Sequence, residues 1–242
     1  MLINRTLKVL LLLLGCIFIV LQGQALELEG AAVSAVMLVI LTILYCKWTE
    51  KKSKLFFWFI VVFTIAHVLS YSSWFFEPIE HYEIDLFYYT ANILYIISYI
   101  FLILRITSEL DFKKVFTELT IPLIILVSLD VFCVVLVTDT TKGALDISQY
   151  ILEFIYNAVI MALLSVALIN YMYRNDNKSM LILIGSICIV FSEIIQLAYY
   201  YILEDDRSLG FIYSFFLVVA FIFFYLQSQV QFTGPIPEYA DE

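Results

Sequence analysis

The sequence predicts an all-α integral membrane protein, built as a bundle of eight transmembrane helices with both termini in the cytoplasm. Of its 242 residues, 63% are hydrophobic and only 14% are charged, and the mean hydropathy is +0.98. Soluble domains are about half apolar and about a quarter charged. The apolar runs are long and continuous, which favours helices over the short alternating segments of a barrel. Basic residues also alternate from loop to loop, which gives the orientation.

Eight apolar runs define a single transmembrane domain over residues 1–230. The first two are short for a hydrocarbon core about 30 Å thick. The first also resembles a signal peptide, with Arg5 and Lys8 before an apolar stretch, but residues 23–25 form a poor cleavage site. The predicted spans are 7–22, 31–46, 55–76, 86–104, 116–138, 147–173, 180–203 and 209–230. We expect residues 231–242 to form a disordered cytoplasmic tail.

The charges of the connecting loops orient these spans. Of the 13 basic residues, all except Lys142 and Arg207 lie near the N-terminus or in the second, fourth and sixth loops. The other loops are mainly acidic, for example Glu27 and Glu29 in the first of them. Because positive loops stay inside, both termini are expected in the cytoplasm. We expect a multi-pass protein of a cell membrane, the inner membrane of a bacterium.

The composition also excludes several kinds of partner and cofactor. The net charge of −9, with no basic patch, argues against nucleic acid binding. Cys16, Cys46, Cys133 and Cys188 fall in apolar runs without metal-type spacing, so neither a metal site nor a redox role is expected. No nucleotide-binding glycine motif is present, and we expect no cofactor. The expected partners are therefore membrane lipids.

Polar side chains inside the spans fall at one depth. With a rise of about 1.5 Å per residue, His67, Asn92, Asp130, Glu153 and Glu193 all lie in the outer half of the membrane. Glu193 is the hardest of these to explain without a function, because apolar residues flank it on both sides. A charge at such a depth costs at least about 2.5 kcal/mol and is a functional-site hypothesis by default. The pattern predicts a polar cavity that opens to the outside.

Helical spacing adds further residues to this layer. Asn157 follows Glu153 by four positions and Gln196 follows Glu193 by three, so each pair shares a helix face. These amides, Asn92 and Ser192 are better explained as hydrogen bonds between helices than as groups that carry chemistry. No buried Lys or Arg is expected to balance the acids, so some must be protonated or His67 must be charged. Such groups suit acid–base catalysis, and equally a proton or cation pathway.

A family resemblance appears at the same residues. The seventh span carries the motif Gly185-x6-Ser192-Glu193, which resembles the Gly, apolar run and Ser-Asp of the YhhN family of membrane lysoplasmalogenases. In the fourth span, Asn92 and Tyr95 stand where the family has His-x-x-Tyr. The resemblance covers the span pattern from about residue 55 onward. Four positions depart from the family: His67 replaces Asp, Asn92 replaces His, Glu193 replaces Asp, and Ala220 stands near a lost polar residue.

The resemblance implies hydrolysis of the vinyl ether bond of lysoplasmalogens, which releases a fatty aldehyde and a glycerophospho headgroup. In that chemistry Glu193 is the expected acid, and His67 or Asp130 orients water. Tyr95 is expected to donate to the ether oxygen. The expected substrate-binding residues are Asn92, Tyr95, Glu153, Asn157, Ser192 and Gln196.

Two other functions stay open at this point. One is a non-catalytic membrane protein, such as a sensor or receptor-like bundle, that binds a lipid or small amphiphile. The other is a proton or cation pathway through Asp130, Glu153 and Glu193. Convergence of His67, Asn92, Asp130 and Glu193 on one cavity would favour the hydrolase.

Overall fold

Nine α-helices make up the part of the chain that the computed structural model describes, residues 2–76, 85–203 and 206–230. The helices are α1 (Leu2–Gly23), α2 (Glu27–Trp48), α3 (Lys54–Ser73), α4 (Leu86–Thr107), α5 (Phe112–Glu118), α6 (Thr120–Asp139), α7 (Ile147–Arg174), α8 (Asn177–Tyr201) and α9 (Arg207–Gln229). All except α5 are long and apolar enough to cross a membrane. The predicted all-helical class is therefore confirmed, and eight long apolar helices match the eight predicted spans. The predicted tail, 231–242, lies outside the described residues.

The fifth predicted span begins differently in the structure, because a separate short helix precedes it. Instead of one helix from residue 116, the chain forms the short helix α5, breaks at Leu119 and begins α6 at Thr120. Pro122 explains the break, because a proline within a continuous helix would lose a hydrogen bond and clash with the preceding turn. In the first turn of α6 its missing N–H has no cost. The break shifts the depth of every residue in α6.

Seven of the long helices form a closed ring. Along the chain α1 packs on α2, α2 on α3 and α3 on α4, after which α4 packs on α7, α7 on α8, α8 on α9, and α9 returns to α1. Helix α6 stands outside this ring and packs against α7. Only Val134 and Thr138 of α6 are buried, so it leaves most of its surface to lipid.

Aromatic side chains fill the middle of the ring. Phe59 of α3 stacks on Phe221 of α9, with ring centroids 6.1 Å apart and planes at 7°. Phe63, one turn further along α3, lies 4.9 Å from Phe221 and 5.8 Å from Tyr99 of α4. All four are at most 3% exposed. Edge and stacked contacts between such rings stabilise the packing beyond their buried area.

The two ends of the bundle differ in charge. We call the end that carries the N-terminus and the α2–α3, α4–α5 and α7–α8 connections the basic end, and the opposite end the acidic end. At the basic end Arg174 pairs with Glu109 and, at 3.3 Å, with Asp176. Arg105 adds a 2.5 Å contact to Glu109. Because Arg174 is 8% exposed, these pairs tie the end of α4 firmly to the α7–α8 turn.

Helix α9 approaches α1 very closely at a glycine. A Cβ atom at Gly210 would lie 2.4 Å from the backbone carbonyl oxygen of Gln22. At Gly185 of α8, a Cβ would lie 2.7 Å from the ring of Phe224. Gly210 therefore lets two backbones of the ring come together, as small residues do in membrane bundles, whereas Gly185 makes room for an aromatic side chain.

We expect Gly210→Ala to destabilise the fold by about 1–3 kcal/mol, because the added methyl group meets backbone that cannot rotate away. The free energy of unfolding of the purified protein in mixed detergent measures this. Gly23→Ala is the matched control at the same α1–α9 junction, since its Cβ would make only ordinary 3.4 Å contacts with Phe211. Equal stability of the two variants would contradict the close-approach explanation.

Candidate functional site

A cavity of about 340 Å³ lies at the acidic end, between α3, α4, α7 and α8. It extends from Glu193 towards the residues at which α3 ends and α4 begins, such as Trp74 and Asp85. Its polar lining consists of His67, Ser70, Ser73, Asp85, Asn92, Glu153, Asn157, Glu193 and Gln196. Its aromatic lining consists of Trp74, Phe87, Tyr88, Tyr95, Tyr156, Tyr200 and Tyr201. The described lining thus contains three acids and neither Lys nor Arg.

The carboxyl group of Glu193 is held by two tyrosines from two other helices. Tyr99 of α4 donates its hydroxyl to Oε1, and Tyr156 of α7 donates to Oε2 at 2.7 Å. Tyr99 is fully buried and Tyr156 is 7% exposed, whereas Glu193 itself is only half-buried because it faces the cavity. Hydrogen bonds to a charged acceptor contribute about 1.5–3 kcal/mol each. The three side chains therefore join α4, α7 and α8 around one carboxyl group.

A ring cluster surrounds this group. Tyr99 and Tyr156 meet edge to face, with centroids 6.0 Å apart, and Tyr95 lies 5.3 Å from His67. His67 also packs 4.9 Å from Phe63, and the described residues provide it with no hydrogen bond. An imidazole that lines a cavity without a protein partner can bind a water molecule or a ligand.

A second carboxyl group, that of Glu153, lies in the same cavity. The Glu153 Oε1 atom accepts a 3.3 Å hydrogen bond from Nδ2 of Asn157. The same Nδ2 group donates to the Thr138 hydroxyl of α6 at 3.2 Å. Its Oε2 makes no hydrogen bond with any described residue. Glu153 and Glu193 are close enough to repel each other electrostatically. With neither Lys nor Arg in the described lining, the site is suited to a proton or a cationic group.

Most of the residues singled out from the sequence do line this cavity. Asn92 is among them, and it donates to the Tyr88 carbonyl oxygen of its own helix at 2.9 Å. The full set is His67, Asn92, Tyr95, Glu153, Asn157, Glu193 and Gln196. They come together because each lies on the inward face of α3, α4, α7 or α8, near the acidic end of that helix.

Asp130 does not reach the cavity, contrary to the expected role in orienting water. It lies on α6, outside the ring, beside Ser165 of α7. Ser165 follows Glu153 by twelve positions, so Asp130 lies about 18 Å along the bundle from that carboxyl group. Two features account for this: α6 stands outside the ring, and, counted from Thr120, Asp130 belongs to the middle of its helix rather than to the outer half.

Ser192 does not line the cavity either, although we expected it to contact substrate. Its hydroxyl donates to the Tyr213 carbonyl oxygen of α9 at 2.8 Å, and the side chain is fully buried. Ser192 and Glu193 are adjacent in sequence, and adjacent residues of an α-helix point to different sides of it. Ser192 therefore fastens α8 to α9 and leaves the cavity to Glu193.

Sequence reasoning missed the two tyrosines that hold Glu193. Tyr99 follows Tyr95 by four positions, and Tyr156 follows Glu153 by three, so each shares a helix face with a predicted site residue. This spacing could have predicted that both tyrosines face the site. Tyrosines in membrane proteins are, however, ordinarily explained as interface residues.

Metal binding has no support in the described part of the chain. No group of three or more His, Cys, Asp or Glu side chains is arranged there as metal ligands. The acids of the cavity are instead hydrogen-bonded to tyrosine and amide groups, as described above.

We expect Tyr156→Phe to lower the free energy of unfolding by about 1–3 kcal/mol, because it removes the donor to Glu193 Oε2. Tyr89→Phe is the control, since the Tyr89 hydroxyl pairs with Ser148 at an exposed site. Its effect should stay within about 0.5 kcal/mol. Equilibrium unfolding in mixed detergent distinguishes the two, and similar losses in both variants would argue against a special role of the Glu193 contact.

Comparison with known proteins leaves the geometry of this cavity as the basis for a functional argument. No protein-family model matches the sequence, and no curated protein and no solved structure matches it either.

Proposed function

We propose that this protein is a membrane hydrolase that binds a lysophospholipid in the acidic-end cavity and cleaves its vinyl ether bond. The observation that carries the proposal is the Glu193 carboxyl group, which lies within the bundle with a second acid, Glu153, in electrostatic range. The resemblance of Gly185-x6-Ser192-Glu193 to the YhhN family supports the same activity. His67, Asn92 and Tyr95, which carry or adjoin the other points of resemblance, line the same cavity.

The reaction needs one proton donor and one group that stabilises positive charge. A proton is added to the β-carbon of the vinyl ether, which leaves an oxocarbenium ion at the carbon attached to oxygen. Water adds to that carbon and gives up a proton, and the hemiacetal separates into an aldehyde and the glycerophospho alcohol. Two carboxyl groups, one protonated and one ionised, are sufficient for these steps.

The hydrogen bonds of the two acids favour a division of labour. Both oxygens of Glu193 accept from tyrosine hydroxyls, as those of a carboxylate do. We therefore assign to Glu193 the stabilisation of the oxocarbenium ion, which revises its expected role as the acid. Glu153 keeps one oxygen without a hydrogen bond to the described residues, so it is the better proton donor. His67 is the residue best suited to bind the attacking water.

The cavity also suits an amphiphilic substrate. Its carboxyl groups act at the polar linkage, whereas rings such as Trp74, Tyr95 and Tyr200 offer apolar surface to the alkenyl chain. Ligand sites typically combine such apolar walls with a few converging polar groups. A lysophospholipid carries both parts within one molecule.

A second function, binding without turnover, is favoured by one observation. Tyrosine hydroxyls already donate to both oxygens of Glu193 and hold its carboxyl group in place. A carboxyl group fixed in this way could also recognise a cationic or hydroxylated ligand without catalysis. The chain would then be a lipid sensor or receptor-like protein. The activity assay below separates the two functions.

We further propose that both termini are cytoplasmic and that the cavity opens to the outside of the inner membrane of a bacterium. The excess of Lys and Arg at the basic end supports this orientation. The expected substrate side is then the outer leaflet.

Fusion reporters test this orientation. Green fluorescent protein joined after Glu242 should fluoresce and alkaline phosphatase at the same place should be inactive, because the phosphatase folds only outside the cytoplasm. Alkaline phosphatase inserted after Gly143, in the α6–α7 connection, should be active. An insertion after Lys51, at the basic end, is the control and should behave like the C-terminal fusion. The reverse pattern would place the cavity on the cytoplasmic side.

We expect Glu193→Gln and Glu153→Gln each to reduce aldehyde release from a lysoplasmalogen by about 10²–10⁴-fold, the usual loss when a catalytic acid or base is removed. The purified protein is assayed in detergent with an aldehyde-coupled dehydrogenase. Glu118→Gln, the same change at an exposed acid on α5, should keep full activity.

Other outcomes also decide between the functions. Unchanged turnover in Glu193→Gln would rule out its catalytic role. If the unmodified protein releases no aldehyde while lysoplasmalogen raises its unfolding midpoint, and Glu193→Gln loses that shift, the binding function is supported instead.

A further inference from the structure

A second concavity lies on the other side of the bundle, at the basic end. It has a volume of about 370 Å³ and is formed by α1, α2 and α9. Its floor consists of buried side chains, Met37 and Leu41 of α2 and Phe221 of α9, and Leu12 of α1 forms an exposed part of its wall. We call it the basic-end groove. None of its described lining residues belongs to the acidic-end cavity.

One end of this groove is polar and carries a cation. Lys8 of α1 lies with its Nζ atom 5.5 Å from the ring centroid of Tyr225, and both residues line the groove. Lys8 has no carboxylate partner among the described residues. Its only described interaction is with the face of that ring, which leaves the ammonium group available to an anion.

The Tyr225 hydroxyl is an independent indication of a ligand. The side chain is 9% exposed, and its oxygen is enclosed without a hydrogen-bond partner among the described residues. Buried hydroxyls ordinarily have such a partner. A bound acceptor at the polar end of the groove, beside the ammonium group of Lys8, would supply it after a movement of the side chains that enclose the hydroxyl.

We propose that the basic-end groove binds an anionic phospholipid. One acyl chain lies along the apolar floor, over Met37, Leu41 and Phe221. The phosphate lies at the polar end, where it pairs with Lys8 and accepts from the Tyr225 hydroxyl. Basic pockets between helices at the positively charged end of membrane proteins recognise anionic headgroups in this way.

The charge of the groove favours this occupant over two others. A zwitterionic lipid would bring its own cation towards Lys8 and gain less from the site. A second copy of the chain would cover the apolar floor, but in a two-fold interface the groove would face its own copy, and its described lining contains no carboxylate to pair with Lys8. An anionic lipid satisfies the apolar floor, the cation and the hydroxyl together.

Lipid binding to the full-length protein in detergent tests the proposal. Phosphatidylglycerol and phosphatidylcholine with the same acyl chains are compared by native mass spectrometry and by the shift in the unfolding midpoint. We expect phosphatidylglycerol to bind more tightly and to raise the midpoint more. Lys8→Gln should weaken phosphatidylglycerol binding about fivefold, as expected for the loss of one cation near a lipid phosphate, and should remove the preference over phosphatidylcholine.

Matched variants separate binding from folding. Lys52→Gln removes a charge from an exposed lysine at the same end, outside the groove, and should leave the preference intact. Leu12→Trp should obstruct the groove and weaken both lipids, whereas Leu13→Trp, at an equally exposed position outside it, should not. Tyr225→Phe should weaken phosphatidylglycerol without lowering the stability of the lipid-free protein, because its hydroxyl makes no described hydrogen bond.

Three results would overturn the proposal: equal affinities for the two lipids, equal effects of Lys8→Gln and Lys52→Gln, or full phosphatidylglycerol binding in Leu12→Trp. Concentration-dependent dimers that Leu12→Trp abolishes would assign the groove to a second copy of the chain instead.

Discussion

The carboxyl group of Glu193, inside the helix bundle, imposes the constraint on which the acidic half of the bundle depends. Hydrocarbon offers a carboxyl group no hydrogen bonds, so the protein itself must provide them. Tyr99 and Tyr156 do so from α4 and α7, and these contacts place three helices around one point. The hydroxyl of Ser192, the neighbour of Glu193, donates to the Tyr213 carbonyl oxygen of α9. Two adjacent residues of α8 thus connect the cavity to the closing helix of the ring.

The two ends of the closed ring have different structural features. At the acidic end the helices leave a cavity with acids and aromatic rings, and at the basic end paired charges around Arg174 hold α4 to the α7–α8 turn. Between them, stacked rings such as Phe59 and Phe221 fill the interior. The basic-end groove lies outside this core. A lipid there would contact α1, α2 and α9, the helices that close the ring, and not the groups proposed to act on substrate.

Under the proposed resemblance to the YhhN family, three of the four departing positions fall in one place. His67, Asn92 and Glu193 differ from the family's residues and line the same cavity, whereas Ala220 does not line it. Glu193 is longer than the aspartate of the family's motif, and its tyrosine partners occupy both oxygens. A hydrolase with this lining would depend on Glu153 for proton transfer, and a binding protein would use the same two acids for recognition.

The sequence by itself determined the eight spans, their alternating loop charge and the level at which most of the polar residues meet. Hydropathy and helix rise are properties of local sequence, so His67, Asn92 and Glu153 could be assigned to one layer from the sequence. Only the tertiary structure decided which helix faces turn inward. It placed Asp130 outside the ring and Ser192 against α9, and it brought Tyr99 and Tyr156 to Glu193. Those choices depend on packing between helices distant in the chain, which periodicity within one helix does not specify.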